Sequence, residues 1–359
     1  MKAAVLRSIP GELAIEDVDI DAPGPHEVLV RNVAAGVCHS DHHYLVGKYT
    51  TPLPTVMGHE AAGVVEAVGT DVVHVRPGDH VVACLSVFCG HCEYCLSGRM
   101  VLCEQAGTNR VEGTARLSVD GNLIHPYSAI GAFAEQMLLH EHAVVKIDAD
   151  IPLISAATVG CAVVTGLGSV FNTAGVKPGS SVAVIGCGGV GLNVIQGAIL
   201  AGAARVVALD VFAGKLDMAR RFGATDVLES DDDAVAAVLE LTGGGVDYAF
   251  DAVGMKQTAE QAFAVLRPGG TATLIGMIPL GVDISLPGVD FLYEKTIKGS
   301  NMGSTRSRID IPRYLELYRS GRLQLDALIS RTRPLDEIGE AMADLDSGAV
   351  ARTVITFDG

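Results

Sequence analysis

A doubly wound parallel α/β sheet preceded by a mainly β domain is the fold that this 359-residue chain predicts. Three observations carry the expectation. The first 150 or so residues are β-rich and punctuated by turns, short apolar runs alternate with helical spacing from about residue 180, and a glycine-rich turn joins the first such run to its helix. At roughly 150 residues per domain, the length suits two domains.

In the first part Glu27–Val33, Ala61–Val68 and His80–Ala83 read as strands, separated by turn signals such as Pro-Gly at 23–24 and Arg-Pro-Gly-Asp at 76–79. In the second, Val182–Ile185, Val206–Leu209, Asp226–Leu228, Asp247–Phe250, Thr271–Ile275 and Thr296–Lys298 read as six strands. Between them Val190–Leu200, Lys215–Phe222, Ala234–Leu241 and Gln257–Leu266 have helical spacing. Strands joined by helical crossovers give a dinucleotide-binding topology. After Met302, a helix around Ile311–Ser320 and a strand over Ala351–Phe357 are expected, with the tail rejoining the first domain. The expected domains are therefore 1–162 completed by 302–359, and 163–301.

The formal charge of −16 is the wrong sign for binding phosphate backbones or anionic membranes, so nucleic acid and membrane are not expected partners. From Ile151 to Ala204 the only charged residue is Lys177, which on charge alone would license membrane spans. Pro152, Pro178, Asn172, Asn193, Gln196 and many glycines interrupt the stretch, and no basic clusters flank it, so it reads as buried core. The opening MKAAVLRSIPGELAIEDVD has no apolar leader core, which points to the cytoplasm; there, eight cysteines favour metal or redox roles over disulfides.

Gly186-Cys187-Gly188-Gly189-Val190-Gly191 follows a strand and opens a helix, so backbone N–H groups can face a pyrophosphate without Cβ obstruction. Asp210 ends the next strand, where a carboxylate accepts from a ribose 2′-OH and repels a 2′-phosphate, favouring NAD over NADP. The plain alternative is a tight turn with no ligand. Cys89, Cys92, Cys95 and Cys103 can surround one structural Zn²⁺; two disulfides or an iron–sulfur cluster are the alternatives, and His91 reads as a bystander. Cys38-His39-Ser40-Asp41-His42-His43, His59-Glu60 and Cys161 form a dispersed set that spacing alone does not assemble. Cys187, at a helix N-terminus, is expected to have a lowered pKa and to be open to oxidation.

Together these motifs resemble the zinc-dependent alcohol dehydrogenases of the medium-chain dehydrogenase/reductase family. The likeness runs almost the full length: Gly-Val-Cys-His-Ser-Asp at 36–41, Gly-His-Glu-Ala-Ala-Gly at 58–63, the four-cysteine lobe, Gly-Cys-Ala-Val-Val-Thr-Gly at 160–166 and the glycine-rich turn stand in family order. The resemblance implies a Rossmann-type sheet plus a GroES-like catalytic domain, two zinc ions per subunit, and Cys38, His59 and Cys161 as ligands of the catalytic one. It implies oxidation of an alcohol to an aldehyde or ketone with hydride transfer to NAD. Ser40 would take the released proton and pass it through the nicotinamide ribose to His43, whose ordinary pKa suits exchange near neutrality. Asp41 would orient His59, and Glu60 would sit behind the zinc.

Thr165 is expected at the nicotinamide, Lys215 at the adenosine ribose, and His39 and Arg352 at the pyrophosphate. Leu85, Tyr127, Met277 and Asn301 would line a mainly apolar pocket for a small alcohol or aldehyde. Alternatives within the family are a thiol-dependent formaldehyde dehydrogenase of the glutathione or mycothiol type, and an enzyme that keeps its NAD tightly bound. A zinc-free quinone reductase would lack Cys38, His59 and the lobe, and a mere NAD or metal sensor would not need Ser40 and His43. Relatives with a long segment between lobe and last ligand are often homodimers, with a homotetramer as the other expectation.

Overall fold

The computed structural model describes residues 1–105, 116–346, 348 and 350–357. The chain divides into two units, Met1–Cys161 with Arg306–Gly359, and Ala162–Thr305. Residues 302–305 go with the second unit because Gly303 packs there: a Cβ on it would lie 2.2 Å from the Val164 carbonyl oxygen.

The first unit is mainly β. One sheet runs in the order Val144–Lys146, His80–Ala83, Glu60–Val68, Glu27–Gly36, Arg352–Thr356, Ile329–Pro334, with Gln136–His140 also paired to Glu27–Gly36. A second sheet is built on Lys2–Leu6, Leu13–Asp17 and Thr55–Val56 with Leu117–Val119 and Asn122–Pro126. Alternating small and β-branched residues in Glu27–Gly36 bury Val28 and Val30 against Met57, Phe133 and Leu139, and this core fixes the register. The tail strand Arg352–Thr356 pairs antiparallel with residues 34–36, and so the tail rejoins the first unit. That pairing, and Gly36 opposite Glu60, set the ends of three strands side by side beneath Cys38.

The second unit is a six-stranded parallel sheet in the order Asp226–Glu229, Arg205–Asp210, Ser181–Ile185, Val246–Asp251, Leu266–Leu274, Thr296–Gly299. Its strand order reverses direction between Ser181–Ile185 and Val246–Asp251, the switch point at whose carboxyl ends ligands bind in such sheets. The expected helices appear as Gly189–Leu200, Ala213–Arg221, Ala234–Thr242 and Lys256–Ala264. The largest boundary difference lies in the fifth strand of this sheet. The strand expected from Thr271 begins at Leu266, and the preceding helix stops at Ala264, because Val246 already bonds the Val265 carbonyl and the ladder carries an irregularity across Pro268 and its two glycines.

Nearly all of Ala156–Val170 and Val182–Ala198 is buried, in keeping with the uncharged stretch as core. No single helix among the described residues is long and apolar enough to cross a membrane.

Candidate active site and metal centres

Cys38 caps the short helix His39–Leu45, and Asp41 in its first turn bends back so that Oδ2 accepts the Cys38 N–H at 3.1 Å. The other carboxylate oxygen lies 3.0 Å from His59 Nδ1. One buried aspartate thus fixes both the Cys38 backbone and the His59 imidazole, and it leaves His59 Nε2 for the ligand cluster. Burial works against a charged His59, but Asp41 outweighs it and raises the ring's pKa well above its ordinary value. Ser40 Oγ sits 3.3 Å from His59 Nε2. The Tyr127 ring packs edge-on against His59 at 5.7 Å.

Cys161 follows the tight turn Thr158–Gly160, where Gly160 is required: a Cβ there would stand 2.0 Å from the Ala83 carbonyl oxygen. Donor atoms of Cys38, His59, Glu60 and Cys161 lie within 4.8 Å of one another, all buried. The two sulfurs are coupled: hydrogen bonding from Cys161 pulls Cys38 well below the usual thiol range, and Cys161 rises in turn. Two thiols, an imidazole and one adjacent oxygen suit a catalytic Zn²⁺ with three ligands and an open position.

Glu60 completes this cluster by virtue of Gly36, since a Cβ at that position would meet Glu60 Oε2 at 2.2 Å. Burial pushes the Glu60 carboxyl up to about 8, with Arg352 pulling it back. Arg352 Nη2 is 2.9 Å from Glu60 Oε1, an ion pair without the alignment of a hydrogen bond, and Nη1 donates to the Val37 carbonyl at 3.0 Å. The structure therefore gives Arg352 a partner other than the expected pyrophosphate; its guanidinium is only 3% exposed. Burial opposes its charge, and Glu60 with the two sulfurs outweighs that and raises its pKa. No motif joins these two residues in the chain.

His43 corrects a second expectation. Burial, reinforced by Lys48 and His39, holds its ring down to about 4, so it is neutral at pH 7 instead of titrating near neutrality. Its Nδ1 is buried without a hydrogen-bond partner, and its ring stacks at 6.3 Å on Tyr49. His39 itself is exposed.

The four-cysteine lobe closes on itself. Cys89 Sγ is 3.8 Å from Cys95 Sγ and Cys92 Sγ is 3.9 Å from Cys103 Sγ. A tetrahedron with Zn–S bonds of about 2.3 Å has edges of about 3.8 Å, so the spacing fits one metal ion, and S–S bonds are far shorter. Backbone N–H groups complete the cradle: that of Cys89 donates to Cys103 Sγ, and those of His91 and Cys92 donate to Cys89 Sγ. N–H groups of Cys95 and Glu104 pull Cys92 down to about 6, while burial pushes Cys95 up to about 12. His91 turns to the Cys89 carbonyl and Gln105, which agrees with a bystander.

In the second unit the glycine-rich turn leads from Ile185 into Gly189–Leu200. Gly186 has φ +92°, Gly188 would point a Cβ into open space, and a Cβ on Gly191 would lie 1.7 Å from the Gly186 carbonyl oxygen. Gly189 is buried and Val190 half-buried on the first helical turn, whose free N–H groups suit a pyrophosphate. Asp210 accepts from Cys187 N–H at 2.7 Å and Phe212 N–H at 3.0 Å, so it braces the turn. Lys215 rests its ammonium 5.0 Å over the Phe212 ring. Thr165 is buried and its hydroxyl donates to Met302 Sδ at 3.6 Å. Cys187 is not the reactive thiol expected: burial, with the nearby Asp210 carboxylate, raises its pKa, and it is fully enclosed.

Residues 24–149 match the family described as alcohol dehydrogenase GroES-like domain, and residues 189–320 that described as zinc-binding dehydrogenase. The chain is 41% identical over 363 residues to the NDMA-dependent alcohol dehydrogenase of Amycolatopsis methanolica, covering 99% of this chain and 98% of that protein. Among solved structures, it superposes on an alcohol dehydrogenase zinc-binding domain protein from Burkholderia ambifaria with a TM-score of 0.95 at 36% identity, over 100% of this chain and 99% of the other. Benzyl alcohol dehydrogenase of Acinetobacter calcoaceticus gives 0.94 at 33% identity, over 99% of both. The chain belongs to the zinc-type medium-chain alcohol dehydrogenases, enzymes that work with zinc and a nicotinamide cofactor.

Proposed function

We propose that this chain catalyses the reversible oxidation of an alcohol to an aldehyde or ketone with hydride transfer to NAD, and that it holds two zinc ions per subunit. The observation that carries the reading is the Ser40 hydroxyl 3.3 Å from His59 Nε2, a proton acceptor beside three converging ligands that a structural metal would not need. Zinc held by Cys38, His59 and Cys161 would supply a Lewis acid that favours the ionised alcohol. Ser40 takes the proton from the substrate hydroxyl and hands it on toward His43. A ring held near pKa 4 is neutral at pH 7 and releases a received proton to water readily. Asp41 keeps His59 in the tautomer that presents Nε2. Cys89, Cys92, Cys95 and Cys103 would hold the second ion, and Asp210 favours NAD over NADP.

A second reading is favoured by the NDMA-dependent relative: NAD stays bound and an added acceptor regenerates it. Absorbance of NADH with a panel of alcohols, run with and without low-molecular-weight thiols and an external acceptor, separates these readings. A thiol requirement would move the substrate to a formaldehyde adduct, and silence under every condition would overturn the enzyme reading. Ser40→Ala is expected to slow turnover by about 10²-fold at unchanged zinc content. Full activity in that variant would remove the proton relay.

A homodimer is supported by the open edge strand Thr296–Gly299 and by the exposed apolar side chains of Leu280, Val289, Leu292 and Tyr293 in the preceding segment. Light scattering is expected to give twice the chain mass; the chain mass itself would count against this.

A further inference from the structure

We propose that Asp251 is a positioning residue for the nucleotide, whose carboxylate fixes the loop 252–254 against the glycine-rich turn. The inference rests on the NAD reading above and names a residue that no part of that reading uses. Asp251 is the last residue of Val246–Asp251, directly across the switch point from Ile185, with which it pairs. It is fully buried. Oδ1 accepts from Val253 N–H at 2.9 Å and Gly254 N–H at 3.2 Å, while Oδ2 is buried with no hydrogen bond. The Thr258 hydroxyl favours the charge, but its proton goes to the Met255 carbonyl at 3.1 Å.

A buried carboxylate with one idle oxygen is costly for the fold, and burial accordingly raises its pKa. What the side chain secures is a three-way junction. Ala252 N–H bonds the Ile185 carbonyl at 2.9 Å, and a Cβ on Gly186 would meet Val253 Cγ2 at 2.6 Å. On the other side the Asp251 carbonyl accepts from Ile275 and Gly276, and a Cβ on Gly276 would lie 2.0 Å from Gly254 N. The loop is thus wedged between the phosphate-binding turn and the next strand end, and Asp251 alone ties off its two N–H groups.

The test is a titration of NADH with the full chain, followed by the nucleotide's own fluorescence because the chain has no tryptophan, alongside steady-state kinetics. Asp251→Ala is expected to weaken NADH binding and raise KM for NAD about tenfold, the effect of losing one or two hydrogen bonds to a charged group. At saturating NAD, kcat and the KM for alcohol are expected within about twofold of wild type, a split that general loosening of the fold would not produce. Asp251→Asn retains the Oδ1 acceptor and is expected to bind within about threefold of wild type. Asp251→Ser, with one acceptor on a shorter arm, is expected between the two and serves if the alanine variant does not fold. Unchanged binding in the alanine or serine variant, or equal loss in asparagine and alanine, would overturn the proposal. If wild type freed of any bound nucleotide takes up no NADH, the NAD reading fails first and the inference falls with it.

Discussion

Cys161→Ser is expected to remove one zinc ion per chain and to lower alcohol turnover about 10³-fold or more, while leaving the four-cysteine lobe loaded. The size follows from a Lewis acid's several kcal/mol of charge stabilisation, at 1.36 kcal/mol per decade of rate. Cys161 supplies one of two thiolates that together would neutralise a divalent ion, and Glu60 is already engaged by Arg352. A serine hydroxyl is harder, shorter and far less acidic than a thiol, so the remaining Cys38 and His59 would be left as a two-ligand site. Glu60 is the competitor to watch, because its oxygen lies within 4.8 Å of the other three donors. Metal content by atomic emission and turnover by NADH absorbance decide the matter. A variant that keeps both ions and its activity would show that Cys161 is not a ligand of the working metal.

The parts legible in the sequence are those whose geometry is set locally. A strand, a glycine-rich turn and a helix lie end to end, and four cysteines fall within fifteen residues, so both features stand out before any fold is known. The dispersed cluster is different. Cys38, His59 and Cys161 meet only because Gly36 pairs with Glu60 and Gly160 lies against Ala83, facts of register and close packing that spacing does not encode. Only the family resemblance assembled it.

Burial is the other thing a string of residues conceals. The helix N-terminus argues for an acidic Cys187, but such a dipole contributes about 0.3–1 kcal/mol, whereas enclosing a charge shifts a pKa by up to several units. Enclosure beside Asp210 therefore wins. The same effect takes His43 from an ordinary imidazole to a ring near 4. The family resemblance places Arg352 at the pyrophosphate, yet the tail strand delivers its buried guanidinium to Glu60.

Cys92→Ser separates the lobe from the chemistry. The lobe residues Glu93–Leu102 bury almost nothing of their own: Leu96 is 75% exposed, and none of the residues in the short helices Glu93–Leu96 and Met100–Leu102 is buried. With no apolar core, its fold depends on the metal, whose binding free energy then appears as folding free energy. In free zinc-finger peptides that term reaches about 10–16 kcal/mol, but here the lobe is one loop of a larger unit with an apolar core of its own, so only part is at stake. A loss of about 3–5 kcal/mol is expected, equivalent to about 10 °C in Tm for a unit of this size. Cys92 is the informative position because backbone N–H groups already hold its thiol down to about 6, making it the sulfur best prepared to bind. The variant should lose one zinc and melt earlier, yet its folded fraction should turn over alcohol within about twofold of wild type, since Cys38, His59 and Cys161 are untouched. Loss of turnover in proportion to zinc, with an unchanged melting curve, would mean that the lobe metal takes part in catalysis.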